Sequence, residues 1–409
     1  MTRVTLPPKP GLFRAMHLLS TGMLLALAGL SASVTLISGQ TYPRVWSQSF
    51  PASHPPQQQS YAMAYDEARG VAVLFGGFDE ETWGVFAGTW LWDGQNWSMA
   101  TLLGPGPRYA STMVYDTRRQ VCVLFGGTPP GEEARAETWE WNGANWQLRA
   151  TNGPPPREQH AMAYDQRRGR VVMFGGTPCG LCGATTADTW EWDGEQWSVV
   201  ATTGPGRRYG AAMAYDELQQ RVIMFGGYDP GTRQVYDETW AWDGESWSLL
   251  ATGGPSAAFD HAMAYDQRRG SIVLFGGFSE NNDQTWEWNA AAWSRRFLSP
   301  APIGRTSHGM VYDAQRDELL LYGGSSEHSA HDTWRLHLAE TWVDFSSLGF
   351  PFVFEFGTFE LPFNTLAEGV AAALPGTIVQ IKSSSTRETI HIDKPLFVRA
   401  WGGPVTIGR

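Results

Sequence analysis

The chain has 409 residues, a formal net charge of −11 at pH 7, and charged side chains at only 17% of its positions. Lys and Arg form no basic stripe, so the charge pattern of a nucleic-acid-binding protein is absent. The length is enough for one large domain and one small one.

The N-terminal segment carries Arg3, Lys9 and Arg14 ahead of an apolar stretch from about residue 15 to residue 37. A basic flank, an apolar core and small residues near positions 26–33 are typical of a secretory signal peptide. The stretch is also long enough to span a bilayer, so an uncleaved membrane anchor is the alternative. In both cases residues 1–38 are expected to export the protein, to the cell envelope or the extracellular space, with membrane contact only through this segment.

A double glycine recurs six times downstream, at a spacing of about fifty residues. The pairs are Gly76-Gly77, Gly126-Gly127, Gly175-Gly176, Gly226-Gly227, Gly276-Gly277 and Gly323-Gly324. A fixed period of this length is the mark of a β-propeller or a solenoid, so the repeat determines the fold class.

Each repeat divides into four short apolar runs bounded by turn residues, which predict four strands. In the third copy they cover residues 160–164, 170–174 and 188–192, and the last starts near Trp197. The second run is apolar without alternation, which indicates a sheet covered on both faces. Asp193-Gly194 and its counterparts favour tight hairpins between the third and fourth strands.

Tryptophans recur at fixed places in the repeat, which indicates packing between repeats rather than a sugar-binding surface. The third strand carries a Trp-x-Trp pair, and the fourth strand begins with another Trp. These residues are Trp90, Trp92, Trp97, Trp139, Trp141, Trp146, Trp190, Trp192, Trp197, Trp240, Trp242, Trp247, Trp286, Trp288 and Trp293.

The order "FGG", then Asp or Glu before Thr-Trp, then a downstream Trp resembles the kelch motif over about residues 42–334. The resemblance implies an all-β fold, a six-bladed β-propeller with four-stranded blades over residues 42–338. The sixth unit lacks a hairpin turn after Trp334, and Trp46 occupies a fourth-strand position ahead of the first unit. We therefore expect the strand around Trp46 to complete blade six, since an unpaired edge would promote aggregation.

Residues 342–409 differ in composition, with a helix-like segment at about 364–374 followed by short strand-like runs. This resembles the N-terminal cap and first coil of a right-handed parallel β-helix. Because a β-helix needs stacked coils to bury a core, the segment is either a small β-helix-like module that docks on something or the start of a longer β-helix.

The loops that join strand two to strand three, and strand four to the next strand one, must share one face of a propeller. They are the longest and most divergent loops, so a ligand site is expected there. Arg108, Arg157, Arg208 and Arg305 precede strand one on this face, where they either bond backbone carbonyls of the adjacent blade or attract an anion.

Two other residue groups on this face are candidates. His308, His328 and His331 could meet and bind a ligand, although loop histidines are commonly solvated and no metal site is predicted. Cys179 and Cys182 are expected to form a local loop disulfide, with half of a metal site as the alternative.

The enzymes of similar fold leave no matching signature in the chain. Galactose oxidase holds copper with two Tyr and two His, but the recurrent tyrosines here occur once per blade, as structural residues do. The sialidase box and the G-x-S-x-G elbow are also absent. The leading hypothesis is an exported, non-enzymatic kelch propeller without a cofactor that binds a protein or a glycan. The alternative is a carbohydrate-active enzyme of the galactose-oxidase-like or sugar-epimerase type.

Overall fold

The computed structural model describes residues 4–6, 44–178, 184–326, 331–343, 365–373, 377–382, 385–386, 397–401 and 405–407. It divides into two compact units, Trp46–His337 and a second unit of Met1–Val45 with Leu338–Arg409. The apolar segment at 15–37, Cys179, Cys182 and His328 lie outside the described residues, so the export signal and the disulfide stay predictions. Within the described ranges, no helix is both long and apolar enough to cross a membrane.

The larger unit is a six-bladed β-propeller, and each blade is a four-stranded antiparallel sheet. The first three blades, from inner to outer strand, are Ala62–Asp66, Val71–Phe75, Thr89–Trp92, Trp97–Thr101; Thr112–Asp116, Val121–Phe125, Thr138–Trp141, Trp146–Ala150; and Ala161–Asp165, Arg170–Phe174, Thr189–Trp192, Trp197–Ala201.

The next two blades repeat this plan, with a small extra hairpin in blade four. Their strands are Ala212–Asp216, Arg221–Phe225, Glu238–Trp242, Trp247–Thr252; and His261–Asp266, Ser271–Gly276, Thr285–Trp288, Trp293–Arg296. The extra hairpin pairs Tyr228–Asp229 with Gln234–Val235.

Blade six is assembled from both ends of the propeller. Its inner three strands are Gly309–Asp313, Glu318–Tyr322 and Thr333–Leu338, and its outer strand is Arg44–Ser49. The prediction that the strand around Trp46 closes the ring is confirmed. The segment Glu340–Val343, which contains Trp342, pairs outside the propeller.

The apolar core lies between neighbouring blades. One cluster joins Val73 and Phe75 of blade one to Cys122, Leu124 and Trp141 of blade two, all at most 1% exposed. The second strand is therefore covered on both faces, as its unbroken apolar sequence predicts. Cys122 is a free, fully buried thiol in this core.

The outer-strand tryptophans tie the blades together in sequence around the ring. Each donates its indole N–H to a Thr hydroxyl in the first or second residue of the third strand of the preceding blade, at 2.8 to 3.1 Å. The pairs are Trp97–Thr333, Trp146–Thr89, Trp197–Thr138, Trp247–Thr189, Trp293–Thr239 and Trp46–Thr285. The pair made by Trp46 shows that the closing strand takes the same role as the other five outer strands.

The double glycine is required by close backbone contact at the end of strand two. Gly175 and Gly176 have φ of 68° and 97°, a region that side chains disfavour. A Cβ on Gly175 would lie 2.5 Å from the carbonyl oxygen of Arg208 in the next blade, and one on Gly176 would lie 2.9 Å from that of Glu158. Only glycine lets the chain pass between these groups.

In the smaller unit, Glu340–Val343, Ile378–Lys382 and Phe397–Trp401 form a parallel three-stranded sheet, and Leu366–Ala372 is a helix. Val4–Leu6 pairs with Val405–Ile407, which also pairs with Ser385–Thr386. The predicted helix is confirmed, while the β-helix-like module stays a prediction.

Candidate functional site

The inner strands of the six blades surround a central channel with a cavity of about 380 Å³. We call one end the loop face. It consists of the described parts of the loops between strands two and three, and of the loops that lead into each inner strand. These are residues 78–88, 128–137, 177–178, 184–188, 228–238, 278–284, 325–326 and 331–332, together with residues 50–60, 102–110, 151–159, 202–210, 253–260 and 297–307.

A closed ring of six backbone hydrogen bonds frames the channel at the loop face. One residue per blade donates its N–H to the carbonyl of the equivalent residue in the preceding blade, at 2.6 to 3.0 Å. All six have φ between 52° and 65°. They are Ser60, Ala110, Gln159, Gly210, Asp260 and Ser307. The ring holds the residues beside it at fixed positions around the mouth of the channel.

The four arginines predicted for this face are buried in their own blades, at 0% to 3% exposure. The guanidinium of Arg157 donates to the carbonyl of Gly175 at 2.9 Å and makes a two-pronged ion pair with Asp188 at 2.9 Å. Arg108, Arg208 and Arg305 bond the carbonyls of Gly126, Gly226 and Gly323, and pair with Glu137, Glu238 and Asp332.

The repeat itself shows that each arginine and its carboxylate act as a unit. Blade one has Gln58 and Gly88 at the two positions, and blade five has Ala258 and Gln284. In both blades the arginine and the carboxylate are absent together. The same carboxylates accept the indole N–H of the first Trp in strand three, as Asp188 does from Trp190 at 2.6 Å. Burial alone would raise the pKa of Asp188, but the hydrogen bonds and charge of Arg157 hold it at about 2.

The arginine side chains donate to backbone carbonyls of their own blade. The prediction that they bond carbonyls of the adjacent blade is therefore wrong. The contact between blades is made by the backbone: the carbonyl of Arg157 accepts the N–H of Gly127 in the preceding blade at 3.0 Å. Because the four guanidiniums are buried and paired with carboxylates, they contribute little positive charge to the exposed surface of the channel mouth.

The described histidines of blade six do not gather at one point. His308 packs edge-on against Phe275 between the blades. His331 is exposed, and its ring centre lies 5.3 Å from that of His54. His160 and His261 repeat the placement of His308, against Phe125 and Phe225. Burial lowers the pKa of His160 to about 3 and that of His261 to about 4, so these rings are neutral. In the part of the chain that the structure describes, no three His, Cys, Asp or Glu side chains are grouped as metal ligands.

Aromatic rings stand beside the channel mouth in blades four and five. Phe259 stacks on Tyr228 with ring centroids 5.3 Å apart, and it also contacts Phe278 at 5.1 Å and Tyr209 at 6.0 Å. Phe278 is 66% exposed. We call these four residues the mouth aromatics. On blades one and two, Phe78 and Tyr109 form a second pair at 5.2 Å.

Asp260 places a carboxyl group next to the mouth aromatics, at the ring position that follows Phe259. Its closest polar partner is the Gln159 amide, at 3.4 Å from both carboxylate oxygens. Burial, with the negative charge of Glu158 adding to it, raises the pKa of Asp260 to about 7. Burial, with the negative charge of Asp260 adding to it, also raises the pKa of Tyr209.

Another exposed aromatic side chain of the loop face lies at the tip of the blade-one loop. Trp83 is 79% exposed and has φ of 58°, which a bulky side chain rarely adopts. Asp79 holds the tip by accepting the backbone N–H of Glu81 at 2.9 Å and the hydroxyl of Thr82 at 2.7 Å. The hydrogen bond from Thr82 lowers the pKa of Asp79. The indole is thus held out into solvent by a compact turn.

The loop face is acidic. Its described segments contain fifteen carboxylates against seven guanidiniums, and the four buried arginines occupy four of those carboxylates. The other guanidiniums of these segments are Arg135, Arg207 and Arg233, and Arg135 pairs with Glu132. A ligand of this face therefore meets a negative surface.

Sequence reasoning identified the face but not Asp260 or the mouth aromatics. A signal for them does exist. The pair formed by each residue of the backbone ring and the residue before it differs from blade to blade, from Gln59-Ser60 to Phe259-Asp260, while the strand that follows is nearly constant. Positions that vary on a constant frame are where a binding surface is expected.

Residues 183–351 match the family model described as the KLHDC2/KLHL20/DRC7 Kelch-repeats domain. This region begins shortly before the third strand of blade three and covers less than half of the chain. No curated protein matches the chain significantly. Blades one and two have the same strand order, double glycine and tryptophans as the matched blades. The chain therefore contains kelch repeats, arranged as a six-bladed β-propeller with four-stranded blades.

Proposed function

We propose that the protein is a non-enzymatic binding module that holds a partner protein on its loop face. Kelch propellers in general bind proteins. The observation that carries the proposal is the exposure of large aromatic side chains on this face, Trp83 at 79% and Phe278 at 66%. Aromatic residues are enriched in protein interfaces and contribute much of their binding energy.

The rigidity of the frame supports the same function. The backbone ring at the mouth and the Trp–Thr pairs hold the loop bases at fixed positions, so little ordering entropy is lost at the bases when a partner binds. The turns at the opposite end are held by short-range ion pairs instead, such as Arg168 with Asp165 at 2.7 Å and with Glu191.

The test compares proteins captured by three immobilised forms from extracts of the source organism. The first is the unchanged protein, the second carries Trp83→Ser and Phe278→Ser, and the third carries Leu218→Ser on the opposite face, where Leu218 is 69% exposed. Partners retained by the first and third forms but lost by the second support the proposal. A captured set that is the same for all three forms contradicts it.

A glycan is the second candidate ligand, because exposed rings such as Trp83 and Phe278 offer flat apolar faces on which sugar rings can stack. A glycan array with the same three forms separates the two candidates. Binding of a neutral glycan by the unchanged and Leu218→Ser forms, without any partner protein, would favour the glycan.

We also propose that the propeller is exported, on the basis of the basic and apolar pattern of residues 1–38. Fractionation of cells that express the full chain, with N-terminal sequencing of the product, tests this. A product found in the cytoplasm with an intact N-terminus would contradict it.

A further inference from the structure

We infer that the mouth aromatics and Asp260 together form a docking site for a Lys- or Arg-bearing segment of a partner protein. The inference rests on the proposed function and adds the chemistry of the partner. Its basis is that a cluster of aromatic rings and a carboxyl group occupy the same side of an acidic channel mouth.

Among the residues that the structure describes, no cationic side chain forms an ion pair with this carboxyl group. The groups that influence Asp260 are the Gln159 amide and the negatively charged Glu158. The buried guanidinium of blade four, Arg208, is occupied by Glu238 at 2.8 Å and by the carbonyl of Gly226 at 3.0 Å, and its central carbon lies 3.7 Å from the centre of the Tyr236 ring. A cation from a partner would supply the missing counter-charge at Asp260.

The aromatic rings favour the same kind of ligand. A Lys ammonium or an Arg guanidinium over an aromatic face is attracted by the negative face of the ring, and Arg also stacks on it. Phe278 is exposed at the rim, and Phe259 leads directly to Asp260. A long cationic side chain lying along Phe278 and Phe259 would bring its charge towards Asp260, the residue that follows Phe259.

Charge complementarity disfavours an acidic partner and distinguishes a basic segment from a neutral sugar. The whole chain carries −11, and carboxylates dominate the loop face. A basic segment gains attraction from both the mouth and its surroundings, and its affinity falls with salt. A neutral sugar would use the rings alone, so its affinity would depend neither on salt nor on the charge of Asp260.

The experiment measures binding of a fluorescent hexa-arginine peptide to the full chain at pH 8, above the pKa of Asp260, at low and at physiological salt. A hexa-glutamate peptide and maltohexaose serve as comparison probes. Of the three probes, we expect only hexa-arginine to bind, and we expect its binding to weaken at the higher salt concentration. Asp260→Asn, which keeps the shape of the side chain and suits a positive φ, should weaken binding about tenfold, equivalent to about 1.4 kcal/mol. Phe278→Ala should weaken it about threefold, through loss of a partly exposed cation–π contact.

Two variants at the opposite end of the molecule are matched controls. Glu67→Gln removes one negative charge from the other mouth of the same channel, and Leu218→Ala removes an exposed apolar side chain there. Both should bind hexa-arginine as the unchanged protein does, and thermal melts should show that all four variants are folded.

Three outcomes would overturn the inference: no binding of hexa-arginine, an equal loss with Glu67→Gln and Asp260→Asn, or salt-independent binding of maltohexaose that Asp260→Asn leaves unchanged. If partner capture still depends on Trp83 and Phe278 in any of these cases, the inference fails while the proposed protein-binding function stands. If capture is also unaffected, both fail.

Discussion

At the scale of single residues, the propeller buries some of its charged groups as ion pairs inside the blades. Arg208 is 1% exposed and Arg207, its neighbour in sequence, is exposed, so two adjacent arginines have opposite roles. Burial removes the water that would hydrate the Arg208 guanidinium, and hydrogen bonds to Glu238 and to the Gly226 carbonyl replace it.

Arg208→Ala should lower the free energy of unfolding by about 3 kcal/mol, because it leaves the Glu238 carboxylate without its charge partner. Arg207→Ala is the matched control and should change stability by less than about 0.5 kcal/mol. The double variant Arg208→Ala/Glu238→Gln imitates blade five and should recover part of the loss. Urea titrations measure all three. A single variant as stable as the double would show that the two charges do not act as a pair.

The neutral histidines His160, His261 and His308 make stability depend on pH. Their folded pKa values lie below the unfolded value of about 6.5, so below that pH the unfolded chain binds protons that the folded chain does not. Stability therefore falls as the pH drops from 6.5 towards 4. Asp260, with a folded pKa of about 7, already holds a proton in the folded state over most of this range, whereas the unfolded carboxyl, with a pKa of about 3.9, does not, so Asp260 offsets one histidine.

The expected slope is roughly 3 kcal/mol per pH unit, which corresponds to a net difference of two protons. Unfolding by urea at several pH values between 6.5 and 4.5 measures it. His160→Ser, which installs the residue that blade two has as Ser111, should reduce the slope by about one proton. His331→Ser, at an exposed loop position, should leave it unchanged. An identical slope in the His160 variant would contradict the assignment.

At the scale of strands and turns, local sequence predicts the structure well. The predicted strands of the third repeat agree with Ala161–Asp165, Arg170–Phe174 and Thr189–Trp192 to within a residue. The hairpin turn differs in detail, since Gly194 has positive φ but Asp193 does not. The Asp193 carboxylate instead accepts the N–H groups of Glu195 and Gln196 at 2.9 and 2.8 Å, which makes a longer turn capped by a side chain.

The Trp–Thr pairs predict a measurable coupling between adjacent blades. Thr189→Val keeps the shape of a fully buried side chain and removes the hydroxyl that accepts the indole N–H of Trp247 at 2.8 Å. We expect a loss of about 1–2 kcal/mol, because the indole N–H is left without that acceptor. Thr202→Val, at an exposed position just after the outer strand of the same blade, is the control. Equal stability of the two variants would show that the pair is dispensable.

At the scale of the whole molecule, the closing strand makes the first and last parts of the propeller one blade. Trp46 is 1% exposed, packs on Phe275 at 5.6 Å and bonds Thr285, both in blade five. Trp97 of blade one bonds Thr333 of blade six in the same way. The ring therefore has no end blade at which unfolding could start.

Trp46→Ala should cost about 3–5 kcal/mol, as other large core truncations do. Because closure is shared, amide hydrogen exchange should become faster in all six blades and not in blade six alone. Phe50→Ala, four residues later and at an 84% exposed position, should be neutral. Faster exchange confined to blade six would show that the blades unfold independently.

The sequence by itself determined the number of blades, the four strands of each and the way the ring closes. These features depend on recurring local signals: the double glycine and the tryptophans at strand positions in all six repeats, and an Asp-Gly or Asn-Gly turn in the first four. The tertiary structure decided what the arginines, histidines and mouth aromatics do. Arg157 meets Asp188, and Phe259 meets Phe278, only after separate strands align. The burial that neutralises His160 likewise exists only between assembled blades.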